Sequence, residues 1–316
     1  MSVHAAAPGS GGPEPRIGFV GLGTMGGPMC RRLATAGYAV TAYDLDDDAV
    51  AAAVQHGAVA APWVQDCVHG ADLFITSLPG PPQVEAVMAG DTGALSAMNP
   101  GSVWVDLTTN SRELVLDLAS AAPDGVAVVD SPVTGAVDGA RRGELTLFAG
   151  GTAGAVATAR PVLEHLGTVI ECGALGAGNV VKLVTNQLWF AAAAALGEGF
   201  AVGLANGVEL HTLWRAILDS VGDSFVARHD APSIFAGHYD PSFPLALCVK
   251  DLGLLADLES NVDADLPMTG AARSAFERAA RRYGLDAGEM SVARRIEDDA
   301  GMSMRLKGDW TPHWEK

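Results

Sequence analysis

Only four lysines occur in the chain, at 182, 250, 307 and 316, against sixteen arginines. Two of them stand where the neighbouring residues suggest chemistry. Lys182 closes the run Gly176-Ala-Gly-Asn-Val-Val-Lys182, with Asn186 one helical turn further on. Lys250 lies in Phe243-Pro-Leu-Ala-Leu-Cys-Val-Lys250-Asp251. A guanidinium stays charged at any pH a protein meets, whereas burial can tune an amine to give and take a proton near neutrality. In a chain that otherwise uses arginine for positive charge, a lysine in such a place reads as a group with a movable proton. The plain alternative is an exposed lysine on a helix surface. Lys182 and Asn186 are four residues apart and so share one helix face. One could donate or remove the proton of a substrate hydroxyl while the other orients it.

The element that must carry this pair runs from Gly178 to about Asn206. It is alanine-rich and nearly free of charge, which predicts a helix buried on most sides, because a surface helix shows a polar stripe. No segment reads as a membrane span, since glycines and Glu198 break the apolar run. Beyond Gly207 the pattern is helical, with breaks at Gly222, Pro241, Pro244 and Pro267, and predicts an all-α domain. Trp310 and Trp314, in the terminal segment, would pack either on a partner subunit or on their own core.

The front of the chain has a different grammar. The short apolar run Arg16 to Val20 leads directly into Gly21-Leu22-Gly23-Thr24-Met25-Gly26. A helix-like segment from Met25 to Ala36 follows, then a strand from Tyr38 to Tyr43 with Asp44 at its end. Strand, glycine turn, helix and strand form the context in which this spacing binds a dinucleotide. The first glycine allows the turn, the second lets the backbone approach a pyrophosphate, and the third allows close helix packing. Asp44 sits where a carboxylate accepts from the adenosine ribose hydroxyls and repels a 2′-phosphate, which favours NAD over NADP. Asp46 or Asp47 is left to cap the next helix, Ala49 to Gln55.

Strands are expected at Asp72 to Leu78, Ser102 to Asp106, Val126 to Asp130 and Glu144 to Ala149, mostly with helices between them. That alternation predicts a doubly wound, mostly parallel sheet, whose ligands gather at the carboxyl ends of the strands. Leu78, Pro79, Thr108, Thr109 and the loop after Asp130 are the candidate contacts on this ground. In that loop the backbone N–H groups of Gly135 and Ala136, with the Thr134 hydroxyl, could form a nest for a substrate carboxylate. A surface loop needing glycine for its turns is the other reading. Arg141 and Arg142 either add positive potential there or stay solvated.

At 316 residues two domains are expected, since single cores stop growing near this size. The expected division is a loose tail over 1–15, a Rossmann domain over 16–174 and an all-α domain over 175–316. The net charge of −17 argues against binding nucleic acid through its phosphates, but not against a small anionic substrate. Cys30, Cys67, Cys172 and Cys248 are scattered without a C-x-x-C pair and read as reduced core thiols of a cytoplasmic protein. No metal site is expected.

Four ordered motifs, Gly21 to Gly26, Asp130 to Gly135, Gly176 to Lys182 and Lys250-Asp251-Leu252, resemble those of the β-hydroxyacid dehydrogenase family, over roughly residues 16 to 306. The resemblance implies a Rossmann domain joined by a long helix to a helical domain, which commonly makes the contacts of a homodimer or homotetramer. It implies Lys182 as catalytic acid–base and Asn186 as its substrate-orienting neighbour. Thr134, Gly135 and Ala136 would hold the substrate carboxylate, and Leu78, Pro79, Gln83, Thr109 and Lys250 would line the cofactor near the nicotinamide. The chain departs from the family pattern at Thr134-Gly135-Ala136, usually Ser-Gly-Gly, and at Thr185, usually the first of an Asn-Asn pair. The extra methyl groups on Thr134 and Ala136 narrow the pocket floor, which would shift substrate choice while leaving the donors in place. The expected reaction is the NAD-dependent interconversion of a small 3-hydroxy acid and its semialdehyde or keto acid. An imine reductase is an alternative, though it generally lacks the lysine. A non-catalytic NAD-binding module is another.

Overall fold

The computed structural model describes residues 14–310. Most of the expected tail over 1–15, and both Trp314 and Lys316, lie outside the described residues. The chain forms two compact units. One comprises residues up to Leu78, Pro82–Thr108 and Leu116–Leu175, and the other Pro79–Pro81, Thr109–Val115 and the residues from Gly176 onward.

The first unit is built on nine strands: β1 (Ile17–Val20), β2 (Val40–Tyr43), β3 (Val59–Ala60), β4 (Leu73–Thr76), β5 (Val103–Asp106), β6 (Ala127–Asp130), β7 (Val133–Thr134), β8 (Leu145–Gly151) and β9 (Gly167–Gly173). They make one sheet in the order β3-β2-β1-β4-β5-β6-β8-β7, with β9 also paired to β8. From β3 to β6 every pairing is parallel; β8 runs antiparallel to β6 and to β7. The central strands β1, β4 and β5 are buried along their whole length, which is why they read as continuous apolar runs. Met29 and Leu33, on the helix Gly26–Thr35, belong to the same core as Ile17, Phe19, Ile75 and Val105. Gly18 lets the short helix Val64–Val68 lie flat on β1, because a Cβ there would sit 2.0 Å from the Cys67 carbonyl oxygen.

Differences from the sequence reading are local. The segment after Asp130 is not a plain loop: it contains β7 and the helix Ala136–Arg142. The short strands β3 and β7, and the mostly exposed β9, carry too little apolar alternation to be read in advance. All four cysteines are free, but Cys172, on β9, is only half-buried and is not a core thiol. Burial pushes the Cys30 and Cys67 thiols up to about 12, so both stay protonated and inert.

Among its described residues the second unit contains helices and no strand. Its centre is the helix Ala177–Ala205, flanked by the helices Leu245–Glu259, Pro267–Tyr283 and Ser291–Ala300. The backbones approach closely at Gly197, where a Cβ would lie 2.9 Å from Ala293 Cα. Phe190 and Phe276 pack across the core with ring centroids 5.0 Å apart. The central helix is less enclosed than its composition suggests: Val184 (42%), Leu188 (65%) and Val202 (65%) are exposed along one side. By length and composition alone it could cross a membrane, yet its opposite side buries Lys182 and Asn186 inside the protein. Trp310 packs on its own chain, 5.3 Å from the Trp214 ring and 5.2 Å from Phe235.

Candidate active site

The glycine turn of the first unit is shaped by three different constraints. Gly21 adopts φ +93°, a left-handed backbone that disfavours any side chain, and a Cβ there would lie 2.2 Å from the Ser77 carbonyl oxygen. Gly26 packs so closely that a Cβ would meet the Gly21 carbonyl oxygen at 1.9 Å. Gly23 is exposed and has open space where its Cβ would be. Two glycines therefore close the turn, while the middle one leaves a bare backbone for a ligand to approach. Leu22 is buried, whereas Thr24 is exposed and Met25 half-buried at the start of the helix.

Asp44 follows β2 beside this turn. Its Oδ2 accepts from the Leu22 backbone N–H at 2.5 Å, and its Oδ1 from the Asp46 N–H at 2.9 Å. Two bonds use only part of a carboxylate's acceptor capacity, so ribose hydroxyls can still be received. Asp46 is the residue that caps the following helix, accepting from the Asp48 N–H at 3.0 Å. A bare glycine backbone beside a carboxylate that can accept further hydrogen bonds suits a dinucleotide.

The carboxyl ends of β4 and β5 are tied by a buried polar network that the sequence did not reveal. Trp104 Nε1 donates to Thr76 Oγ1, and that hydroxyl donates to Asp106 Oδ1, each at 2.9 Å. Asp106 Oδ1 also accepts from the Thr108 N–H at 3.1 Å, and Thr108 Oγ1 accepts from the Leu78 N–H at 3.0 Å. The network thus fixes the backbone at Leu78, which is half-buried; Gln83 is exposed.

Thr134 ends β7 and is half-buried, while Gly135 and Ala136 are exposed. Ala136 carries φ +56°, a left-handed conformation that costs a side-chain-bearing residue roughly 1–2 kcal/mol and that suits the glycine usual in the resembling pattern. Arg142 is engaged by Asp138 and Glu144, and Arg141 is exposed.

The second unit assembles the other expected residues. Lys182 is 7% exposed and Asn186 3%. Desolvation lowers the Lys182 pKa to about 8, opposed by the negative charge of Asp251 and assisted by the positive charge of Lys250. Asn186 Nδ2 donates to Asp251 Oδ2 at 2.7 Å. A carboxylate only accepts, so this partner fixes the amide with its nitrogen toward Asp251 and its oxygen turned away. Lys250 Nζ lies 3.0 Å from Asp251 Oδ1 as an ion pair; the contact is off the line a hydrogen bond needs, which leaves that oxygen without a hydrogen-bond partner. Lys250 Nζ donates instead to the Thr109 carbonyl at 3.0 Å. Gly80, after the exposed Pro79, makes room for this side chain: a Cβ there would lie 2.8 Å from Lys250 Cδ. Asn179 Oδ1 accepts from the Asn110 N–H at 2.8 Å, joining the segment after Thr109 to the central helix.

The structure therefore brings Lys182, Asn186, Lys250 and Thr109 into one cluster. Asp251 is the member that sequence reasoning did not assign, although it adjoins Lys250 in a quoted motif.

Residues 16–176 match the model of the NAD-binding domain of 6-phosphogluconate dehydrogenase, and residues 176–296 match the NAD-binding domain of NADP-dependent 3-hydroxyisobutyrate dehydrogenase. The chain is 36% identical to 2-(hydroxymethyl)glutarate dehydrogenase of Eubacterium barkeri, over 92% of this chain and 97% of that one. The chain belongs to the β-hydroxyacid dehydrogenase family. It is 34% identical to 3-hydroxyisobutyrate dehydrogenase of Pseudomonas aeruginosa, over 89% of this chain and 99% of that one. The solved structure of Mycobacterium tuberculosis 3-hydroxyisobutyrate dehydrogenase with L-serine superposes with a TM-score of 0.81 at 29% identity, covering 89% of this chain and 99% of that one. As a member of this family the chain is an oxidoreductase, and its cofactor is a nicotinamide dinucleotide.

Proposed function

We propose that the chain is an NAD-dependent dehydrogenase interconverting a small 3-hydroxy acid and its semialdehyde or keto acid, with Lys182 as the acid–base group. The observation that carries this reading is the buried amine of Lys182, which desolvation lowers to about 8 and on which the charges of Asp251 and Lys250 act. An amine in that range is partly neutral at physiological pH and can both take and return a proton.

When bound, NAD supplies the hydride acceptor. In the oxidative direction neutral Lys182 takes the substrate hydroxyl proton, and in the reductive direction its ammonium returns it. Asn186, held by Asp251 through one amide hydrogen, offers the other to the substrate oxygen and so orients it. Thr134, Gly135 and Ala136 receive the substrate carboxylate through a hydroxyl and backbone N–H groups. Lys250, Leu78, Pro79, Thr109 and Gln83 line the nicotinamide end of the cofactor, and Gly21 to Gly26 with Asp44 hold its pyrophosphate and ribose. Asp44 makes NAD the preferred form, because a 2′-phosphate would meet a carboxylate. The division of labour follows the expected domains, with residues 16–174 binding the cofactor and 175–316 carrying the proton chemistry.

The protein acts in the cytoplasm on a free small anion, with neither membrane nor nucleic acid as partner. The exposed apolar side of the central helix, Val184, Leu188 and Val202, supports a homodimer or homotetramer. A spectrophotometric screen tests the reading, using 3-hydroxyisobutyrate, 2-(hydroxymethyl)glutarate, L-serine and related hydroxy acids with NAD and NADP. Turnover of at least one 3-hydroxy acid, faster with NAD, is expected. Cofactor binding without turnover across the panel would instead mark a binding module, and turnover confined to imines an imine reductase.

A further inference from the structure

Asp230, Asp240 and Glu289 present carboxylate oxygens that all lie within 4.8 Å of one another, and none of the three residues is more than 4% exposed. They come from separate places in the second unit. Asp230 ends the irregular helical turn before Ala231–Ala236, Asp240 sits in the turn after it, and Glu289 precedes the helix Ser291–Ala300. Asp230 is oriented from two sides: Trp189 Nε1 lies 2.8 Å from its Oδ2, and His229 Nδ1 lies 2.7 Å from its Oδ1. Asp240 Oδ1 accepts from the backbone N–H and the hydroxyl of Ser242.

Glu289 supplies the second observation. It is 2% exposed, and its Oε2 has no hydrogen-bond partner. The charged groups that act on Glu289 are Asp230 and Asp240, both of the same sign. A buried, unpaired carboxylate oxygen costs its full desolvation, and adding like charges raises that cost. Trp189 and His229 around Asp230 resemble the outer partners that orient a metal-ligating carboxylate.

We infer that Asp230, Asp240 and Glu289 form a binding site for a hard divalent cation. Oxygen donors alone select calcium, magnesium or manganese over the softer metals. A coordination diameter built from calcium–oxygen distances of about 2.3–2.6 Å is compatible with the observed spread. The role is structural: one ion would join the turn at Asp240 to the start of the helix Ser291–Ala300. None of its three carboxylates is among the groups that act on Lys182.

The test uses the full-length, chelator-treated protein. Terbium(III), a luminescent probe for oxygen sites, is titrated with excitation of tryptophan, since Trp189 adjoins Asp230. In parallel, thermal unfolding is followed with calcium, magnesium or manganese chloride added. The expected results are saturable, tryptophan-sensitised terbium emission and a rise in Tm with at least one of the three salts. Glu289→Gln and Asp240→Asn should each weaken ion affinity by roughly 10–100-fold, the scale of losing a metal-site partner. Each removes a buried negative charge, so both variants should fold, which circular dichroism checks. Asp298→Asn/Asp299→Asn, an exposed acidic pair, should leave affinity unchanged. Absence of both signals overturns the inference. So does binding that survives Glu289→Gln and Asp240→Asn but falls in the exposed pair, because it would be adventitious attraction to an acidic surface.

Discussion

Asn186 donates its side-chain amide to the Asp251 carboxylate at 2.7 Å, linking the central helix to the helix that carries Lys250. Asp251 therefore serves two groups at once: it orients Asn186, and its charge favours the ammonium form of Lys182.

Asp251→Asn removes that charge and leaves Lys250 to act on Lys182 unopposed. Loss of the anion disfavours the ammonium, so the Lys182 pKa falls further. The rising limb of kcat/KM for hydroxy-acid oxidation should move to lower pH, and kcat should drop about tenfold or more as the charge-assisted bond that anchors Asn186 weakens to a neutral one. A pH profile of the variant checks this; an unmoved limb would mean that Asp251 does not act on the titrating group.

Gly26→Ala and Gly23→Ala separate folding from binding. The first drives a methyl group into the Gly21 carbonyl and should cost about 1–3 kcal/mol of stability, as overpacking does, seen as a lower Tm. The second has open space and should leave Tm unchanged while weakening NAD binding in a fluorescence titration. A Tm loss for Gly23→Ala, or unaltered NAD affinity, would contradict the assigned roles.

Asp44→Ser should relax the preference for NAD over NADP. Removing one charge–charge repulsion worth about 1.4 kcal/mol corresponds to roughly tenfold in the ratio of kcat/KM values. Steady-state kinetics with both cofactors decides it, and retained discrimination would locate selectivity elsewhere.

Lys182 should be costly to fold. Its pKa is lowered from 10.5 to about 8, so below pH 8 the buried ammonium carries a penalty on the order of 3 kcal/mol. The unfolded lysine binds its proton more tightly, so the penalty is full below pH 8, shrinks as pH rises and vanishes above about 10.5. Lys182→Met should therefore raise Tm at pH 7, with the gain diminishing in alkaline buffer. A constant gain across that range would point to packing rather than charge.

Much of the fold was legible because its signals are local. The apolar runs of β1, β4 and β5, the glycine spacing from Gly21 to Gly26 and the terminal Asp44 each declare themselves within a few residues. The i, i+4 spacing likewise placed Lys182 and Asn186 on one face. Asp251 stands 65 positions from Asn186, and no local pattern announces such a pairing. The Thr76–Asp106–Thr108 network is hidden for the same reason. The alanine-rich, nearly uncharged sequence of the central helix predicts enclosure on most sides, but Val184, Leu188 and Val202 are exposed, because a face that awaits a partner is as apolar as one in a core.

The most direct test of the central claim is the pH dependence of kcat/KM for hydroxy-acid oxidation, measured for the unaltered protein and for Lys182→Ala. The account predicts a rising limb near pH 8, set by the lowered Lys182 pKa. It also predicts its disappearance in the variant, with kcat down by about a hundredfold or more and NAD affinity nearly unchanged. A variant that keeps both the limb and the turnover would show that the proton is handled by another group.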